Sequence, residues 1–140
     1  LNGPNLNLLG RREPAVYGTL TLSELEERIR EWSRSLGFEA ECRHSNSEGQ
    51  LIDWLHSAGT EGARAVILNA GGYSHTSVAL RDAVASIEQP VVEVHLSNVF
   101  AREEFRHTSL LSAVCRGTVT GLGPYSYQAA LVALQGILAD

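Results

Sequence analysis

Three stretches of this 140-residue sequence carry polar groups suited to the same chemistry. Asn5, Arg12 and Tyr17 lie near the start, Asn69 and His75 flank a Gly-Gly pair, and His95-Leu96-Ser97 leads on to Arg102 and Arg106. Arginine offers a planar fork to a carboxylate. Amides and hydroxyls hydrogen-bond hydroxyl groups, and Tyr and His transfer protons. Together they suit a small, hydroxylated, anionic molecule and proton transfer to or from it. Glu93 and His95 add a local pair, because residues two apart on a strand share a face. A carboxylate beside an imidazole favours its protonated form, which at a ligand crevice is a candidate general acid.

Singly, each residue has a plainer explanation. Tyr17 reads as a surface aromatic, Arg11 and Arg12 as a solvated pair, and His75 as a helix cap. His95 reads as a satisfied core histidine and Asn69 as a turn residue. Arg102 and Arg106 are four apart beside Glu103 and Glu104, a pattern that surface ion pairs explain. Only convergence on one side of one scaffold separates the functional reading from these.

The scaffold follows from the punctuation. Thr21 with Glu24, and Ser23 with Glu26, are overlapping capping boxes. Leu22, Leu25, Ile29, Trp32 and Leu36 then form one apolar stripe, which Gly37 ends. Residues 38–43 alternate and predict a half-exposed edge strand. Ser47 with Gln50 opens a second helix through Leu51, Ile52 and Leu55. The apolar run 65–68 predicts a central parallel strand, followed by a Gly-rich turn and a helix near 76–86. Pro90 precedes a strand over 91–96, a short helix near 101–106 and a weaker strand over 114–120. Gly121-Leu122-Gly123-Pro124 opens the last helix, whose apolar face runs from Tyr127 to Ile137.

Four strands are thus visible, and Asn2-Gly3-Pro4-Asn5 reads as the exit loop of a fifth whose start lies before Leu1. Alternating strands and helices predict an α/β fold with helices on both faces of a parallel sheet. Five strands at this length predict the flavodoxin-like order 2-1-3-4-5 in a single domain, 1–140, with ligands at the carboxyl ends of the strands. The loop Asn5–Tyr17 has no regular pattern and predicts a mobile lid, with Gly10 and Gly18 as hinges.

Composition narrows the function. Eleven basic residues against sixteen acidic ones give a net charge of −5 with no basic run. That argues against nucleic acid or an anionic membrane as partner. No apolar run approaches a membrane span of ~20 residues, and no secretory signal is visible. All eleven basic residues are Arg, so a lysine Schiff base is closed to these residues. Cys42 and Cys115 have no metal or redox spacing and read as two buried thiols of a cytoplasmic protein.

Five segments in order resemble type II 3-dehydroquinate dehydratase over essentially the whole chain. They are Asn2-Gly3-Pro4-Asn5-Leu6, the loop from Arg11-Arg12-Glu13-Pro14 to Tyr17-Gly18, Asn69 through Ser77, Glu93 through Asn98, and Arg102-Glu103 with Phe105-Arg106. The resemblance implies a flavodoxin-like enzyme that dehydrates 3-dehydroquinate to 3-dehydroshikimate through an enolate, without metal or organic cofactor. It casts Tyr17 as the base, Arg12 as the lid arginine that keeps Tyr17 anionic, and Asn5 as the holder of a water at the enolate oxygen. His95 is cast as the acid. Asn69, His75, Ser97, Arg106 and the amides of Leu96 and Ser97 are cast as the substrate cradle. Glu93 and Arg102 match supporting positions behind these, and Asp82 one that reaches a neighbouring subunit's site. A homododecamer built from trimers is implied, serving shikimate synthesis or quinate breakdown. A serine acyl hydrolase using Ser74 or Ser97, and a flavodoxin-like binding or receiver module, are the competing readings. The first lacks a Gly-x-Ser-x-Gly elbow, the second the Asp cluster and Lys of a receiver.

Overall fold

The computed structural model describes residues 1–140. Three parallel strands, β1 (Val66–Leu68), β2 (Val91–His95) and β3 (Gly117–Thr120), form one sheet in that order. All five residues of the central strand β2 are buried. Its alternation assigns Val92, Val94 and Leu96 to one apolar core and Val91 to the other. Glu93 and His95 therefore point to the Val91 face.

The helices are α1 (Pro14–Tyr17), α2 (Leu22–Ser35), α3 (Glu48–Ser57), α4 (Val78–Ala85) and α5 (Tyr125–Ala139). On one face, Leu25 and Ile29 of α2 pack with Tyr127, Ala130, Leu131 and Leu134 of α5. On the other, Leu51 and Leu55 of α3 pack with Leu80, Ala83 and Val84 of α4. Thr21 caps α2 by accepting from the Glu24 amide, and Ser47 caps α3 by accepting from Gln50. Ser77 caps α4 in the same way, accepting from Leu80 at 2.9 Å. No helix is long and apolar enough to cross a membrane.

The sheet is shorter than the alternation predicts. Residues 38–43 form no strand. Instead Asn2 makes single parallel bridges, to His44 on one side and Asn69 on the other. Asn2 N–H donates to Arg43 O at 2.8 Å and Gly3 N–H to Asn69 O at 2.8 Å. Asn2 is thus held to each neighbour by a single bridge rather than by a strand ladder.

The expected helix near 101–106 is instead two 3-10 turns, Val99–Ala101 and Glu104–Arg106, separated by extended backbone at Arg102. The Asn5–Tyr17 segment is also more regular than expected, with a 3-10 turn at Leu6–Leu8 before α1. Two glycines bring the first two loops together. A Cβ on Gly3 would lie 2.7 Å from Ala70 O, and one on Gly71 would lie 3.1 Å from Pro4 O.

Candidate active site

One cleft lies where these loops meet. It is lined by Asn5, Arg12 and Tyr17 from the N-terminal loop, Asn69 and His75 after β1, and His95, Leu96, Ser97, Arg102 and Arg106 at and beyond the end of β2. The plainer reading of scattered, unrelated residues does not produce this gathering.

Tyr17 ends α1, and its hydroxyl accepts from Arg102 Nη1 at 2.6 Å. Arg102 Nη1 also stands 3.4 Å from Ser97 Oγ. Arg12 lies over the Tyr17 ring with its guanidinium carbon 5.4 Å from the centroid, and Arg102 stands at 5.3 Å. Glu13 sits between the two cations, 3.5 Å from Arg102 and 3.8 Å from Arg12. The resemblance casts Arg102 in a supporting position and Arg12 as the arginine at the phenol; in the structure Arg102 holds the hydroxyl and Arg12 covers the ring. The extended backbone at Arg102 is the reason, because it breaks the helix that would have placed Arg102 and Arg106 on one exposed face.

His95 is buried at the end of β2, and its Nε2 donates to Glu93 Oε2 at 2.5 Å. Nδ1 is therefore the nitrogen left for a ligand. Glu93 is fully buried. Its burial pushes its pKa up, but hydrogen bonds from His95, Ser112 and Ser109, with the charge of His95, outweigh that and hold it below the ordinary value. The His75 ring stacks on that of His95 at 6.1 Å. His75 Nδ1 lies 2.8 Å from Thr108 O, which only accepts, so Nδ1 carries a proton and Nε2 remains free.

Asn5 adopts a left-handed conformation at φ 69°, which Asn tolerates better than most residues. Its backbone N–H donates to Asn46 Oδ1 at 2.8 Å, and Tyr73 OH donates to Asn46 O at 2.8 Å. Asn69 is fixed by a directional chain. Gly71 N–H can only donate, so it faces Asn69 Oδ1. Asn69 Nδ2 then donates to Tyr127 OH at 3.0 Å, and the Tyr127 hydroxyl in turn donates to Asn2 Oδ1 at 2.6 Å. Burial keeps the Tyr127 hydroxyl protonated, its pKa raised against the opposing pull of the Asn69 bond.

Asp82 stands apart from the cleft, exposed on α4 beside Arg81. Ser74 is buried with no partner for its hydroxyl and does not line the cleft, and the neighbour of Ser97 Oγ is Arg102. The hydrolase reading therefore has no serine–imidazole pair. Asn46, Ser109, Ser112 and Tyr127 were not legible as site residues. Their roles depend on partners 16 to 125 residues away, and no local pattern reports such contacts.

The family model for "Dehydroquinase class II" matches residues 1–135. The 3-dehydroquinate dehydratase 1 of Agrobacterium fabrum is 55% identical over 139 residues, covering 99% of this chain and 95% of that protein. The 3-dehydroquinate dehydratase of Halalkalibacterium halodurans is 55% identical over 135 residues, covering 96% and 92%. The crystal structure of type II dehydroquinase from Propionibacterium acnes superposes with a TM-score of 0.92 at 44% identity, covering 96% of this chain and 92% of that one. The cleft that gathers Tyr17, His95 and their arginines thus sits in a chain that belongs to the class II dehydroquinase family, whose members are hydro-lyases.

Proposed function

We propose that this chain dehydrates 3-dehydroquinate to 3-dehydroshikimate with Tyr17 as base and His95 as acid. The observation that carries this reading is that the two residues line one cleft, each with its own charge partner: Arg102 on the Tyr17 hydroxyl, Glu93 on His95 Nε2. The Tyr17 phenolate, paired with Arg102 and covered by Arg12, takes the proton from C2 beside the ketone. The electron pair moves to the ketone oxygen as an enolate. A water held by Asn5 donates to that oxygen, as a preorganised oxyanion site does. The enolate then collapses, the C1–oxygen bond breaks, and His95 Nδ1–H protonates the departing hydroxyl to give water. Glu93 balances the charge of the imidazolium. Asn69, His75, Ser97, Arg106 and the amides of Leu96 and Ser97 hold the hydroxyls and carboxylate.

The product is a conjugated enone. Incubation with 3-dehydroquinate should give a rising near-ultraviolet absorbance, and a flat trace would end the reading. The chain contains no Lys, so borohydride added during turnover should trap no lysine imine and leave activity intact.

We also propose that Asn2, bridged to His44 on one side and Asn69 on the other, marks the first strand between its two neighbours in the five-strand order 2-1-3-4-5. A crystal structure in which these bridges do not form would refute it. Asp82 is proposed to face a neighbouring protomer's cleft in a dodecamer of trimers. A monomer by sedimentation at working concentration would remove that role. The pathway role, shikimate synthesis or quinate breakdown, is read by whether loss of the gene gives aromatic auxotrophy or failure to grow on quinate.

A further inference from the structure

Glu93 has three hydrogen-bond donors on its two oxygens. His95 Nε2 and Ser109 Oγ meet Oε2 at 2.5 and 2.8 Å, and Ser112 Oγ meets Oε1 at 2.6 Å. The proton direction at both serines is fixed by their other contacts. Ser109 Oγ accepts the backbone N–H groups of Leu111 at 3.1 Å and Ser112 at 3.3 Å. Ser112 Oγ lies 3.3 Å from Thr118 Oγ1, which donates to it. Each serine therefore has one proton and one acceptor left for it, the carboxylate. A neutral carboxylic acid would have to set its own proton against one of these donors.

We propose that Ser109 and Ser112 are positioning residues for the reaction: they hold Glu93 ionised and oriented, so that it fixes the Nε2 edge of His95 and leaves Nδ1 to the substrate. The proposal rests on the assignment of His95 as the acid. It adds two residues, from the segment after the Glu104–Arg106 turn, that do not line the cleft. The titratable groups facing this pair are few. Glu93 faces His95 on its own strand and Cys115 from the turn before β3. Burial, and then the charge of Glu93, push the Cys115 thiol up to about 12. His95 faces Glu93 and the stacked ring of His75.

The test uses the full chain with Ser112→Ala, Ser112→Thr and Ser109→Ala. Glu93 is followed by carbon-13 NMR of Glu-labelled protein, and turnover of 3-dehydroquinate is followed across pH. Loss of one hydrogen bond to a charged group should raise the Glu93 midpoint by about one pH unit in either alanine variant. The acid limb of kcat should move up with it, and plateau kcat should fall about tenfold with KM within about twofold. Ser112→Thr keeps the hydroxyl and should restore both readings. If Ser112→Ala does not fold, Ser112→Cys, a weaker donor of similar size, takes its place with the same expectations. A wild-type Glu93 midpoint in the variants overturns the proposal. So does a raised midpoint with an unmoved acid limb, since the serines would then hold a carboxylate that does not act on the reaction. His95→Ala separates the underlying assignment: full dehydration there removes the acid, while the Glu93 titration still reports the serines' hold.

Discussion

Arg102 Nη1 donates to the Tyr17 hydroxyl at 2.6 Å across 85 residues of sequence. The Arg102 side chain is 11% exposed and that of Arg12 35%. Screening by solvent and salt is weaker for the more buried cation. Arg102 therefore has both the contact and the stronger field at the phenolic oxygen, while Arg12 lies over the ring face and lines the cleft.

Removing the hydroxyl should leave the fold and most of substrate binding in place. Tyr17→Phe is expected to lower kcat by at least ~10²–10⁴, the usual weight of a positioned acid or base. Near-normal turnover in steady-state assays would remove Tyr17 from the mechanism.

The two arginines should separate in kinetics. Arg102→Gln should reduce kcat more than Arg12→Gln, because it removes the group bonded to the reacting oxygen. Arg102→Lys should recover only part of the loss, since charge is kept without the planar fork. A larger kcat defect in Arg12→Gln would reverse the assignment and restore the order that the sequence suggests.

His95→Ala should slow loss of water far more than exchange at C2, provided enolate formation precedes C–O cleavage. Deuterium uptake into recovered 3-dehydroquinate, measured beside dehydration, reads the two steps separately. Equal slowing of both would place His95 before the enolate rather than after it.

How much of this was legible depends on the range of the interaction. The α2 and α3 caps were legible because each cap lies three residues from its partner amide. Gathering of the site at the strand ends was legible because parallel α/β topology dictates it. The extended backbone at Arg102 was not, since the four-residue spacing of Arg102 and Arg106 fits a helix equally well. Nor was the missing edge strand, because alternation over 38–43 specifies a face but not a partner. Glu93 was legible as a neighbour of His95, whereas Ser109 and Ser112 reach it from 16 and 19 residues away.

Glu93 also links activity to acid stability. Its folded-state pKa is held below the ordinary 4.5. A depressed carboxyl stabilises the fold fully above its unfolded value, and that contribution is lost as pH falls through the folded one. Melting temperature should therefore decline as pH drops below about 4.5, and Glu93→Gln, which has no such proton to bind, should decline less steeply over the same window. Parallel wild-type and Glu93→Gln curves below that pH would show that Glu93 is not the linked group.

The lid prediction turns on Glu13. It is held at φ 42°, a left-handed conformation costing a non-glycine residue roughly 1–3 kcal/mol. What holds it there is a pair of contacts to Arg102 and Arg12 at 3.5 and 3.8 Å, with the Glu13 side chain 48% exposed. Exposed ion pairs contribute only about 0–1 kcal/mol each, so the tether does not outweigh the strain. Gly10 at φ 89° and Gly18 at φ 76° bracket the segment and can absorb the backbone change on opening. The free enzyme should therefore open readily, and an Arg-directed protease should cut after Arg11 or Arg12. A bound substrate analogue, which fills the cleft that Arg12 lines, should protect both bonds. Glu13→Gln keeps the shape of the side chain but removes the tether's charge, and should be cut severalfold faster than wild type without ligand. If the wild-type segment resists the protease without ligand, and Glu13→Gln is cut no faster, the segment is a fixed wall of the cleft, and Arg12 reaches Tyr17 without any closing motion.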